Sequence, residues 1–272
     1  MLYRVRSMTA PTNQRVTVTV QDGIADVRLS RAEKLNALDP EMFTALVRAG
    51  EQLMNDASLR AVVLSGEGRA FCAGLDFQSF LGGGSPGDFF ARDANSPANR
   101  AQRVAWIWQE LPVPVIAVVH GVAFGGGLQI ALGADMRYAT ADAKLSIMEV
   151  RWGLVPDMTG TQTLRHLMRL DVLKELTFTG RVVSGSEGQA LGLVTRVCDD
   201  PRAAAFETAR EIAQKSPDAV RSAKQLLNAS GVVSIAEGLS LEAKLQKALL
   251  GSPNQLEAVM ANFEKRDPKF KV

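Results

Sequence analysis

The amino-acid sequence predicts an α/β protein that ends in a helical region, and three observations carry that expectation. Short β-branched runs, Ala61 to Ser65 and Val115 to Val119, have the composition of strands buried on both faces. Each leads into a glycine-marked turn, Gly66-Glu67-Gly68 after the first and Gly125-Gly126-Gly127 after the second. From Pro201 onward the pattern is helix after helix, punctuated by Ser216-Pro217, Gly231 and Ser252-Pro253.

Taken in chain order, residues 1–14 lack the apolar core of a signal peptide and are expected to form a flexible extension. Val16 to Val20 and Ala25 to Leu29 read as a hairpin around Gln21-Asp22-Gly23. Asp39-Pro40 opens a helix to about Asn55, with Asp39 as its cap and Pro40 in the first turn. Strands are expected at 61–65, 115–119 and 144–150, with a buried helix over Leu128 to Leu132. The pattern Leu164, Leu167, Met168 marks a helix that either Asp157 or Thr159 is placed to cap, with His166 on its surface. Ser186 is expected to cap a short helix stopping at Gly192, followed by a strand from Val194 to Val197. The change to all-helical patterning puts a boundary near residue 200, between a core of 15–200 and a helical region of 201–272.

Composition narrows the function. A chain of 272 residues with 46% hydrophobic content can bury one large core and an appendage. A net charge of +2, from 31 basic and 29 acidic residues, gives no electrostatic case for nucleic acid. The longest apolar run, Leu111 to Phe124, is broken by Pro112, Pro114, His120 and Gly121 and is too short for a membrane span. Two cysteines, Cys72 and Cys198, make no disulfide framework, so a reducing, cytoplasmic setting is expected.

The glycine triplet carries the chemistry. Three glycines at a helix start leave backbone N–H groups bare at the positive end of the helix dipole, where negative charge can settle. The triplet is followed by Leu128-Gln129, which excludes a Walker loop, and Gly121 to Gly127 lack dinucleotide-fingerprint spacing. Close packing of helix on strand would also call for glycine here. A second turn, Gly66 to Phe77, again brings small residues after a strand, so two turns can each supply one N–H to a single carbonyl oxygen.

Phe71-Cys72-Ala73-Gly74-Leu75-Asp76, with His120-Gly121-Val122-Ala123-Phe124-Gly125-Gly126-Gly127, resembles the crotonase (enoyl-CoA hydratase/isomerase) superfamily. The similarity runs through Leu35-Asn36-Ala37-Leu38, Ala134 to Ala139, Gly153 to Pro156, Thr161-Gln162, Phe178 to Arg181 and Ala190 to Val194, over about residues 16–270. The resemblance implies a spiral of ββα repeats with a C-terminal helical region, assembled as a homotrimer or a hexamer of two trimers. It implies an acyl-CoA substrate, with coenzyme A as part of that substrate and no separate cofactor or metal. It assigns Leu75 and Gly126 as backbone donors that stabilise a thioester enolate, and it places Leu35, Ala37, Ala73, Asp76, Gly125 and Gln129 along the substrate. One such donor is worth on the order of 10² to 10³ in rate.

The acids depart from the hydratase pattern. That pattern has two glutamates, at the positions of Gln129 and Glu149, and an amide cannot act as a general base. An acid at Asp157 paired with one at Glu149 resembles the dienoyl-CoA isomerase branch, where carboxylates on either side of the acyl chain move a proton along it. That branch has a third acid where Gln129 stands. Glu149 lies among Leu145, Ile147, Met148 and Val150, where burial would raise its pKa toward neutrality. Three functions follow from these residues. The first is a double-bond shift by Glu149 and Asp157, and the second is hydration by Glu149 with Gln129 orienting the water. The third is an acyl-CoA-binding protein without chemistry. Gly83-Gly84-Ser85-Pro86-Gly87 formally matches a nucleophile elbow but lacks the flanking strand, and reads as a loop over the acyl pocket. Cys72 has no histidine placed to activate it, and His120 reads as a hydrogen-bonded residue at a strand end.

Overall fold

The computed structural model describes residues 6–7, 15–81, 89–92 and 96–271. Strands β2 (Val16–Gln21) and β3 (Ile24–Leu29) form the expected hairpin, each one residue longer than the sequence pattern suggested. Their two-residue turn, Asp22-Gly23, has positive φ at both positions (53° and 77°), the mirror-image turn whose twist matches paired strands. Within the N-terminal extension, the backbone of β1 (Arg6–Ser7) pairs antiparallel with β2. The rest of the extension and the Gly83 to Gly87 loop lie outside the described residues.

From β3 the sheet continues in parallel through β4 (Ala61–Gly66), β5 (Val115–Val119), β7 (Met136–Ala139) and β10 (Arg196–Val197). A smaller sheet holds β6 (Val122–Phe124), β8 (Lys144–Ser146) and β9 (Val183–Ser184). Single bridges, Leu38 to Leu75 and Cys72 to Ala123, extend that second layer toward the chain's earlier turns. Each circuit therefore lays one strand in the large sheet, one segment in the small layer, and then a helix. That is the spiral of ββα turns.

Burial explains why the strands read as continuous apolar runs. Val62, Leu64, Val115, Ala117 and Val119 face the main core, which includes residues of α1 (Pro40–Met54), α3 (Arg100–Glu110) and α4 (Gly126–Gly133). The alternate residues Ala61, Val63, Ile116 and Val118 pack against Ala204, Ala205 and Ala209 of α8 (Pro201–Ala213). The change of composition near residue 200 thus marks no break in packing, because α8 covers the outer face of the sheet. Beyond it α9 (Pro217–Ser230), α10 (Ile235–Leu249) and α11 (Pro253–Glu264) follow the Ser-Pro and glycine punctuation. Among the described residues, no helix is long and apolar enough to cross a membrane.

Several boundaries differ from expectation. The apolar run at 144–150 leaves the sheet after Ser146, because its partner β6 ends at Phe124 where Gly125 turns away at φ 50°. Glu149 instead opens a 3₁₀ turn, Glu149–Trp152, closed by Gly153 in the left-handed region. The helix α7 (Gly185–Leu191) is capped by Ser184, whose Oγ accepts from Glu187 N at 3.0 Å, rather than by Ser186. The last strand shortens to Arg196–Val197, the two residues in register with Tyr138 and Ala139 of β7. His166 sits exposed in the turn after α5 (Gly160–Leu164), not on a helix face.

One buried cation ties the C-terminal helices to the core. Lys224 Nζ on α9 donates to Trp108 O (3.0 Å), Val113 O (2.9 Å) and Asp135 Oδ2 (2.8 Å). Burial lowers its pKa, opposed by the Asp135 carboxylate. Removing one partner of a buried pair costs about 3 to 5 kcal/mol. Lys224→Ala is therefore expected to lose about 3 kcal/mol in urea unfolding, and a loss within error would show the cation to be dispensable.

Candidate active site

The two glycine turns come together. Cys72 N donates to Val122 O (3.0 Å) and Phe124 N to Cys72 O (3.1 Å), which sets the 71–75 segment alongside β6. A Cβ built on Gly74 (φ 90°) would lie 2.7 Å from Phe124 O and 3.9 Å from Gly126 N. A Cβ on Gly127 would lie 2.5 Å from Cys72 O, so glycine permits this approach of helix to turn. Leu75 N and Gly126 N have no acceptor among the described residues, and Gly126 is the first residue of the wholly buried α4. Two unpaired donors on adjacent turns, one at a helix N-terminus, suit developing negative charge on one oxygen.

A network beneath these turns holds them, and sequence reasoning missed it. Asn36 is fully buried (0% exposed). Its Oδ1 accepts from Arg31 N (2.8 Å), and its Nδ2 donates to Glu67 O and Ala70 O (both 2.9 Å). Leu35 and Asn36 both adopt positive φ (52° and 55°), a strained pair that this network sustains. Arg31 Nη1 bonds Asp76 Oδ2 (2.8 Å) and Ala37 O (3.1 Å), while Ala73 N donates to Leu35 O (2.9 Å). The Asp76 pKa is lowered although burial pushes it up, because Arg31 and Ser79 bond its carboxylate. Leu35, Ala37 and Ala73 remain half-buried along this edge. The available sequence signal was Asn36 itself, since asparagine tolerates the left-handed region.

Glu149 is buried (8% exposed), and a Cβ on Gly125 would lie 3.4 Å from its Oε1. That contact places the carboxyl beside the Gly125–Gly126 turn. Oε1 accepts from Gln129 Nε2 at 2.5 Å, while Oε2 is buried with no hydrogen-bond partner. Burial pushes the Glu149 pKa up, and the charge of Asp157 adds to that, while Glu149's own N–H and the Gln129 amide oppose it. Gln129 Oε1 is itself engaged, accepting from Met158 N and Gly160 N (both 2.9 Å).

The second of those bonds, from Gly160 N, takes the N–H that a cap by Asp157 would have used at the start of α5. Thr159 stands at the cap position with φ 76°, but makes no side-chain cap, and its hydroxyl is buried without a partner. Asp157 makes no cap either, because Gln129 has taken the Gly160 N–H. Asp157 lines an open cleft of about 290 Å³ with Ala98, Gln102, Trp106, Thr161 and Gln162. Desolvation raises its pKa, opposed by its own backbone N–H. Trp106 and Gln102 come from α3, whose capping box pairs Asn99 with Gln102.

The remaining candidates stand apart. Burial pushes the Cys72 thiol up to about 12, so it is no thiolate nucleophile near neutral pH. His120 Nε2 lies 3.0 Å from Gly68 O, a hydrogen bond at a strand end. Both cysteines are free. Among the described residues, no cluster of His, Cys, Asp or Glu has metal-binding geometry.

Over nearly its whole length the chain is similar to known proteins. The family model for enoyl-CoA hydratase/isomerase matches residues 19–272. The chain is 34% identical over 260 residues to a mitochondrial Delta(3,5)-Delta(2,4)-dienoyl-CoA isomerase of Rattus norvegicus, covering 92% of this chain and 80% of that one. It is 30% identical over 256 residues to a mitochondrial methylglutaconyl-CoA hydratase of Mus musculus, again covering 92% and 80%. Among solved structures, an enoyl-CoA hydratase from Bacillus anthracis superposes with TM-score 0.87 at 32% identity, covering 95% of this chain and 99% of that one.

Proposed function

Since this chain belongs to the enoyl-CoA hydratase/isomerase (crotonase) family, we propose that it shifts a double bond in an acyl-CoA thioester. The observation that carries the reading is Glu149, a buried carboxyl beside the Gly126 donor with one oxygen unpartnered. The thioester oxygen receives the N–H groups of Leu75 and Gly126. Glu149, next to that turn, removes the α-proton, and the resulting enolate spreads its charge along the unsaturated chain. Asp157, on the outer cleft and with its own raised pKa, returns a proton to a remote carbon. One C–H bond breaks and another forms, so the substrate keeps its mass. The carboxyls reset by passing the proton between them or through solvent.

Hydration by Glu149 with Gln129 orienting the water has less support, because Gln129 Oε1 already accepts two backbone N–H groups. A binding role without chemistry leaves the two raised carboxyls unexplained. The deciding experiment incubates the protein with 2-enoyl-, 3-enoyl- and dienoyl-CoA thioesters and identifies products by mass and NMR. An unchanged mass with a moved double bond is expected, and a gain of one water as the main product overturns the reading. Asp157→Asn should lower kcat about 10²-fold on the isomerised substrate with KM little changed. Unimpaired turnover in that variant would remove Asp157 from the chemistry. EDTA treatment should leave the rate unchanged, because coenzyme A is part of the substrate and no separate cofactor enters this scheme.

A trimer or hexamer is part of the same proposal. Ile235 and Leu239 on α10 and Phe263 on α11 are 83%, 60% and 80% exposed in the single chain. Light scattering should then report three or six times the 29.3 kDa chain mass, and a monomer would count against it.

A further inference from the structure

Resting on the reading of Glu149 as a proton carrier, we propose that Gln129 is a positioning residue that selects the working oxygen of Glu149. It also sets that oxygen in register with the loop of Asp157. The carboxamide is almost fully buried (1% exposed) and is used at both ends. Its oxygen faces the donors Met158 N and Gly160 N, and its nitrogen faces Glu149 Oε1. The orientation is forced, since an NH₂ turned toward two N–H donors would leave all of them unsatisfied. An N–H therefore always points at Glu149 Oε1, so a proton on Glu149 resides on Oε2. Oε2 is the oxygen without a partner.

The same amide fixes the second carboxyl's backbone. Met158 follows Asp157 directly, and Gly160 follows Thr159, which sits at φ 76° without a side-chain cap. The fit is close, because a Cβ on Gly160 would lie 2.8 Å from Gln129 Oε1. A glutamine, with one donor end and one acceptor end, satisfies both neighbours at once. A glutamate in its place would satisfy the backbone and oppose Glu149.

That asymmetry supplies the test. Among the described residues, Asp157 is the charged group whose field reaches Glu149, and it favours the neutral acid, as burial does, while the Gln129 N–H favours the ionised base. Gln129→Glu keeps an acceptor for Met158 and Gly160 but sets a carboxyl against Glu149 Oε1, and such a pair shares a proton. The acid limb of kcat/KM, measured on the thioester the protein turns over, should move up by about one pH unit or more. A ¹³C-carboxyl titration, with Glu149 assigned through Glu149→Gln, should move with it. Gln129→Met removes the N–H without adding charge. It should shift the limb the same way by less, with a lower Tm from two unpaired N–H groups. If Gln129→Glu fails to fold, Gln129→Met carries the same measurement. A limb and titration that stay at the wild-type pH in a folded variant, with only the plateau or Tm lowered, overturn the inference. The underlying reading fails separately, if Glu149→Gln remains active.

Discussion

Glu149→Gln is expected to lower kcat about 10³-fold while leaving KM nearly unchanged, the largest loss of any single substitution here. The amide is isosteric and can turn its oxygen toward Gln129 Nε2, so the 2.5 Å contact is kept as a hydrogen bond. What disappears is a group that can take a proton, felt in the transition state and not in ground-state binding. The same substitution should leave Tm at neutral pH nearly unchanged, because loss of a buried charge is offset by an NH₂ placed where Oε2 has no partner. Burial raises the Glu149 pKa in the folded state, so folding binds this proton more tightly than the unfolded chain does. Stability from this group is then present below the unfolded pKa and falls as pH rises through the folded one. A neutral amide removes that loss. Inactivity together with a nearly unchanged Tm would separate chemistry from folding, whereas a variant with wild-type kcat would exclude Glu149 as a proton carrier.

Gly126→Pro should lower kcat about 10²- to 10³-fold, because it deletes one N–H donor to the thioester oxygen. Position 126 is the first residue of α4, where proline costs a helix little, since that N–H bonds nothing within the helix. Gly126→Ala is the control that keeps the donor. Its Cβ would lie 2.8 Å from Met158 Sδ and 3.1 Å from Leu38 Cδ1, flexible side-chain ends that can move aside. Alanine should therefore retain most activity. Equal losses in the two variants would show that crowding, not the missing donor, is what matters.

Features governed by near neighbours were legible in the sequence. Asp22-Gly23 announced its hairpin, and Asp39-Pro40 its helix, with Asp39 Oδ1 accepting from Met42 N at 2.8 Å. The convergence of the two glycine turns was legible as well, because the buried strands upstream of them, β4 and β5, are neighbours in one sheet. What escaped depends on partners far along the chain. The run at 144–150 looks like one strand because its apolar character continues past the point where β6 stops offering a ladder. Ser184 precedes the helix and Ser186 lies in its first turn, and only the backbone distinguishes the one whose hydroxyl reaches Glu187 N. Gln129 is a polar residue in an apolar helix, and nothing local reveals that its amide joins Glu149 to residues 158–160.

The alanines of α8 have a consequence for the chain as it is synthesised. Ala61, Val63, Ile116 and Val118 form an apolar outer face that stays bare until Ala204 to Ala209 leave the ribosome. Most of the sheet is complete before its cover exists, and an exposed face of this kind binds other chains. A nascent protein arrested before Pro201 should therefore recruit hydrophobe-binding chaperones and sediment with aggregates. One arrested after α8, with its length held in the exit tunnel taken into account, should not.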